Sequence, residues 1–130
     1  MSERFEVLSE TPSLATTFAK AVVTSFRKDA KAPLPETTLQ LQVEVDREHL
    51  ATYQRICGWS VSDVLPHTYP HVLGFPLQAT LMARTDFPLA LAGLVHVENT
   101  ITVHERLTAD DELVISVHAE NLRPHPKGTA

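Results

Sequence analysis

Polar and apolar positions alternate most regularly in TTLQLQVEVD, where Leu39, Leu41, Val43 and Val45 fall on one face and Gln40, Gln42 and Glu44 on the other. That period of two predicts a half-buried strand. LVHVENTITVH repeats the pattern with Val95, Val97, Ile101 and Val103, and DELVISVHAENL repeats it with Leu113, Ile115 and Val117. LTADD between these two reads as a hairpin-like connection. Three strands are therefore expected.

A helical period appears elsewhere. Leu14, Phe18, Val22 and Phe26 recur every four residues behind Thr11-Pro12, a hydroxyl cap followed by proline at the first helical position. This predicts a helix over residues 12–27 with one apolar stripe to dock. In REHLATYQRICG, Leu50, Tyr53 and Cys57 keep helical spacing, with Asp46 as the cap and Gly58 as the stop. GFPLQATLMARTD reads as a further helix, about Phe75 to Arg84, with apolar residues on more than one side and hence buried nearly all round. The preceding Pro66 and Pro70 argue against regular structure there. RPHPKGTA reads as an exit loop.

A buried helix among strands makes the expected fold α+β, an antiparallel sheet wrapped around one helix. At 130 residues the chain holds one domain, with the helix at 12–27 preceding a core over 37–130. Three strands are thin cover for a helix, so the sheet is expected to be incomplete at the C-terminus. The further strands would come from a longer chain or a partner.

Charge and composition remove several classes of function. The net charge of −5 offers no basic footprint, so no nucleic-acid partner is expected. No apolar run approaches a membrane span, and MSERFEVLSETPSL has no signal-peptide pattern. The single cysteine cannot form an internal disulfide, which fits a cytoplasmic protein. Gly-x-Ser-x-Gly, Gly-rich phosphate loops and Cys-x-x-Cys are all absent from the sequence.

Candidate chemistry concentrates in CGWSVSDVLPHTYPHVLGFP, Cys57 to Pro76. His67 and His71 are four apart, but the two prolines oppose the helix that would align them, and no third ligand is spaced for a metal. Structural roles are favoured over ligation, and neither metal nor cofactor is expected. His96 and Glu98 share a strand face and could form an acid/base pair. A hydrogen-bonded polar pair at a subunit interface is the favoured reading. His104 and His118 are expected to face solvent, and His125 to lie in a loop between Pro124 and Pro126.

Taken together, LPHTYPHVLGFPLQATLM, FPLALAGLVHVENTITVHERL and ADDELVISVHAENLRPHPKG resemble the MaoC-like hydratase/dehydratase family of hot-dog folds. The likeness is greatest to the N-terminal half of two-domain members, and its most specific piece is His96 to Asn99, followed by Arg106-Leu107 and Asp111-x-Leu113. The resemblance implies a hot-dog domain with the helix near 75–84 at its centre. It implies addition or removal of water across the C2–C3 double bond of an acyl thioester on coenzyme A or acyl carrier protein. It also implies pairing of two hot-dog units, as a homodimer or with a catalytic half.

The family's catalytic signature is Tyr-x-x-x-Ser-Gly-Asp-x-Asn-Pro-x-His, whose Asp and His activate water. Tyr53, Cys57 and Gly58 fit that frame, but Trp59 stands where the Asp should be, and no Asn-Pro-x-His follows. Indole has no basic nitrogen and cannot take the proton. No catalytic residue is therefore assigned. Asp63, in a relocated pair such as Asp63 and His67, could replace the lost aspartate only if the loop folded back by several residues. Cys57 is expected to be a buried packing thiol, and Trp59 to pack on the central helix. The matching family loop borders the acyl channel, so His67, Tyr69, His71 and Phe75 are expected to face substrate, with His96 on the following strand. The expected function is an acyl-thioester hydratase/dehydratase domain that is inactive alone and shapes the acyl pocket for a catalytic half. The alternative is an acyl-binding or dimerisation module with no chemistry.

Overall fold

A computed structural model describes residues 4–130. Its elements are β1 (Arg4–Leu8), α1 (Leu14–Ser25), β2 (Thr37–Glu44), α2 (Arg47–Ile56), α3 (Tyr69–Met82), β3 (Glu112–Val117), β4 (Pro124–His125) and β5 (Gly128–Thr129). Strands β1, β2 and β3 form one sheet in that order, and β4 pairs with β5 in a small hairpin. The fold is α+β.

The alternating segment forms β2 as expected, and it pairs antiparallel with β3, bringing Leu41 opposite Ile115 and Val43 opposite Leu113. On its other edge β2 takes β1 in parallel, Phe5 opposite Thr38 and Leu8 opposite Leu41. A parallel neighbour requires a crossover, and α1 supplies it. Sequence periodicity did not signal β1, whose residues are almost all exposed.

Helix α3 crosses the sheet and no residue from Tyr69 to Ala83 is exposed, as the apolar pattern predicted. Leu77 and Leu81 pack with Leu39, Leu41 and Phe87 against the sheet. Ala79 and Ala83, on another side, pack with Ala21 of α1 and Leu91. The helix starts earlier than expected, at Tyr69, because Pro70 sits in the first turn, where the missing N–H costs nothing. Pro76 lies within the helix, and Thr80 Oγ1 donates to its carbonyl at 2.8 Å. Near Gly74 the helix closes on β3: a Cβ there would stand 3.3 Å from Ile115 Cγ2.

Helix α1 reverses an expectation. It begins two residues later than read, behind Ser13 rather than Thr11. The face it buries is Thr17, Ala21 and Thr24, while Leu14, Phe18, Val22 and Phe26 are exposed. Small side chains let α1 approach α3 closely, and Thr24 Oγ1 donates to the Ala83 carbonyl at 3.1 Å. The segment LVHVENTITVH departs further, since residues 94–103 belong to no strand, and Val95, Val97 and Val103 are exposed. The hairpin read at LTADD is thus a turn that leads from this segment into β3. The exit loop expected at RPHPKGTA is instead the β4–β5 hairpin.

Charged groups gather where α3 ends. Arg84 donates to Asp86 at 2.9 Å and to Glu6 of β1 at 2.7 Å, while Lys28 reaches the carbonyls of Met82 and Arg84. Burial lowers the Lys28 pKa, an effect partly opposed by Asp86. The Arg84 hydrogen bond holds the Asp86 carboxyl below its ordinary range. On acidification the unfolded chain therefore protonates this carboxylate first. The stabilisation is complete above the ordinary aspartate range and is lost as pH falls through the depressed folded value. Thermal unfolding across an acid pH series should show Asp86→Asn to be less stable than the native chain near neutrality, with the difference vanishing at the acid end. The effect should be modest, because the pair is partly solvated.

Candidate functional site

Helix α2 carries the Tyr53–Gly58 frame. Asp46 caps it by accepting from the N–H groups of Glu48 and His49 at 2.9 and 3.2 Å, and Gly58 at φ +78° ends it. A left-handed residue there is natural for glycine and turns the chain into the loop that runs to α3. Leu50 and Gln54, four apart, form the buried side of the helix.

Gln54 organises that loop. Its Nε2 donates to the carbonyls of Ser62 and Val64 at 3.0 and 3.2 Å, and its Oε1 accepts from Ser62 N–H at 3.4 Å. Its position four residues beyond Leu50 was the available signal that it faces inward. Tyr53 and Tyr69 fasten α2 to the start of α3. The Tyr53 hydroxyl bonds Thr68 Oγ1, and the Tyr69 hydroxyl lies 2.8 Å from His49 Nδ1, with the two tyrosine rings 5.2 Å apart. Tyr69 is wholly buried, and burial, then the nearby Asp46 charge, raises its pKa.

Trp59 occupies the position at which the frame expects an aspartate. Trp59 is 43% exposed, and its ring stands edge-to-face with that of His67, centroids 5.6 Å apart, rather than being buried against α3. Cys57 is likewise exposed rather than buried, because it caps α2 on its outer side. Trp59, Gln54 and His67 line a cleft of about 420 Å³, and His67, Pro70, Glu105 and Arg106 line an adjoining one of about 250 Å³. Asp63 lines neither. Its carboxylate turns to Arg47, with Nε at 3.7 Å, so it makes no pair with His67.

A larger cavity than these two lies elsewhere among the described residues. A trough of about 870 Å³ runs between α1, α3 and the segment after Leu91, with Phe18, Phe75, Met82 and Leu94 among its walls. Gln78, His96, Glu98 and Arg123 give it a few polar groups. The structure thus separates the five residues expected to face substrate. Phe75 and His96 line the trough, His67 lines the two smaller clefts, and Tyr69 is buried in the core with Leu50, Leu65 and Leu113, lining none of the three. His71, on α3, lies with its ring 6.4 Å from that of Phe75. His67 precedes the helix while His71 is within it, and among the described residues no group of three His, Cys, Asp or Glu could hold a metal ion.

His96 does not pair with the Glu98 carboxylate. Its Nε2 contacts the Glu98 backbone oxygen at 2.9 Å, since the segment is irregular where a flat strand was expected. His118 is exposed as expected, 3.5 Å from Glu120. His104 is exposed, and His125 belongs to β4 with its Nδ1 accepting from Lys127 N–H at 3.2 Å.

A central helix laid across a sheet, beside an apolar trough, defines the class as an α+β fold of hot-dog type. The family model described as "FAS1-like, dehydratase domain region" matches residues 41–128, and the chain belongs to that family. It is 35% identical over 96 residues to "3-hydroxyacyl-thioester dehydratase X" of Mycobacterium tuberculosis (strain ATCC 25618 / H37Rv), a match covering 73% of this chain and 34% of the relative. The chain thus spans about a third of that relative's length. No solved structure matches it. No helix among the described residues is long and apolar enough to cross a membrane.

Proposed function

We propose that this chain is a non-catalytic hot-dog unit of an acyl-thioester dehydratase, acting in the cytoplasm and holding the acyl chain for a catalytic half. The observation that carries this reading is Trp59 at the frame position of the catalytic aspartate. Removing water from a 3-hydroxyacyl thioester needs one group to take the C2 proton and one to protonate the departing hydroxyl. The cleft that Trp59 lines has no carboxylate among its walls, and the adjoining one offers His67 and Glu105.

Support for acyl binding comes from the trough. Its volume falls in the range of small-molecule pockets, and it combines apolar walls with a few polar groups that could orient a thioester carbonyl. The named activity of the mycobacterial relative supplies the substrate class. Coenzyme A and acyl carrier protein thioesters are both compatible with these features.

The test is hydration of crotonyl and longer enoyl thioesters by the isolated chain, then in mixture with a hot-dog half bearing the Asp and His. No hydration is expected from the chain alone, and faster turnover is expected from the mixture. Robust hydration by the isolated chain, abolished by His67→Ala or His96→Ala, would overturn the reading.

A further inference from the structure

Helix α3 turns one amide toward the trough that the protein does not use itself. Phe75, Gln78 and Met82 all line the trough. Their spacing of three and four puts them on one face of the helix, along about 10 Å of its axis. Phe75 and Met82 are apolar, as are Phe18, Leu91 and Leu94 on the other walls. Other polar side chains near this helix have internal partners. Thr80 donates to the Pro76 carbonyl at 2.8 Å, and the Gln54 amide is held by Ser62 and Val64. Gln78 is half-buried, and no described residue hydrogen-bonds its amide. Among the described residues no buried side-chain nitrogen or oxygen lacks a partner, so this amide is open to the trough.

An amide has one acceptor oxygen and two donor hydrogens, so it pairs with a hydroxyl or with a carbonyl. Plain hydrocarbon laid over it offers neither. The other polar groups of the trough, His96, Glu98, Arg123 and His125, come from segments that follow α3. Their charge and ring nitrogens suit the thioester and its carrier. Gln78, flanked on its helix face by Phe75 and Met82, meets the hydrocarbon instead. The C3 hydroxyl that a dehydratase removes belongs with the catalytic half. An oxygen that meets Gln78 therefore lies farther along the acyl chain.

We propose that Gln78 makes the trough selective for acyl chains that carry an oxygen, as hydroxyl or oxo group, on the hydrocarbon beyond C3. This rests on the acyl-binding reading and deepens it by naming the class of acyl chain. A site that hydrogen-bonds a substrate oxygen discriminates against the analogue without it, because the site's own polar group then loses its partner. Gln78 is only half-buried, so water partly replaces that partner and the preference is moderate.

The experiment is calorimetric titration of the protein with coenzyme A thioesters of one length. Their acyl chains are either plain or carry a single hydroxyl or oxo group at successive carbons beyond C3. The native protein should bind best the thioester whose oxygen reaches Gln78, up to about tenfold more tightly than the plain one, the net worth of one hydrogen bond. Gln78→Leu should bind plain and oxygenated thioesters alike, with the plain one held at least as tightly as before. Gln78→Glu, an acceptor without donors, should keep the preference for hydroxyl and lose that for oxo. A native protein that binds plain thioesters without preferring oxygenated ones overturns the proposal alone. Equal weakening of every thioester by Gln78→Leu also overturns it, since Gln78 would then hold a group common to all of them. Failure of any thioester to bind the native protein overturns the acyl-binding reading and this proposal with it.

Discussion

Leu77→Ala should lower the unfolding free energy by about 2–5 kcal/mol, the cost of emptying a leucine site that cannot collapse. Leu77 is fully buried and packs with Leu39, Leu41, Leu81 and Phe87, the cluster that joins the central helix to the sheet. A domain of this size has only about 5–15 kcal/mol to lose, so the variant should be close to its limit. Phe26→Ala makes the contrast. A phenylalanine in a core costs about 3–5 kcal/mol when truncated, whereas Phe26 is 89% exposed and should change stability by no more than about 0.5 kcal/mol. Urea unfolding of the two variants measures both. A large loss at Phe26 would mean that the apolar stripe of α1 is its packed face after all.

That stripe marks where reading the sequence reached its limit. Leu14, Phe18, Val22 and Phe26 form a regular apolar row, yet α1 docks through Thr17, Ala21 and Thr24. Apolarity identified the helix, but close approach to Ala79 and Ala83 chose its side, and that choice depends on a neighbour the local pattern does not contain. Strand β2, helix α2 and strand β3 were legible because each carries its own local signals: strict alternation, an aspartate cap, a glycine stop. The start of α3 was missed by treating Pro70 as a breaker when it occupies the first turn. Residues 95–103 have the pattern of a strand but belong to no strand among the described residues, because alternation alone does not supply a pairing partner.

For the site, the Tyr53 frame was legible and so was the Trp59 departure. The histidine-rich loop drew attention that the geometry distributes elsewhere. His67 packs against Trp59 at the surface, while the large trough is lined by other residues, Phe75 and Gln78 of α3 among them. Gln54 was passed over because a polar residue inside a helix gives little sign of burial, although its spacing from Leu50 placed it inward.

A non-catalytic acyl-binding unit holds an acyl chain in the trough and releases it chemically unchanged. Each methylene buried there is worth about 0.8 kcal/mol, or roughly fourfold in affinity. Gln78 stands on the α3 wall, and Gln78→Trp would fill space that two or more methylenes would otherwise occupy. It should therefore weaken binding of a long chain by about tenfold or more. The measurement is calorimetric titration of the chain with enoyl thioesters of increasing length, with the thioester recovered and analysed afterwards. Affinity should climb about fourfold per methylene until the trough is full, lose that gain in Gln78→Trp, and leave the recovered thioester unhydrated. Affinity independent of chain length and unchanged in Gln78→Trp, or recovery of the hydrated product, would contradict it.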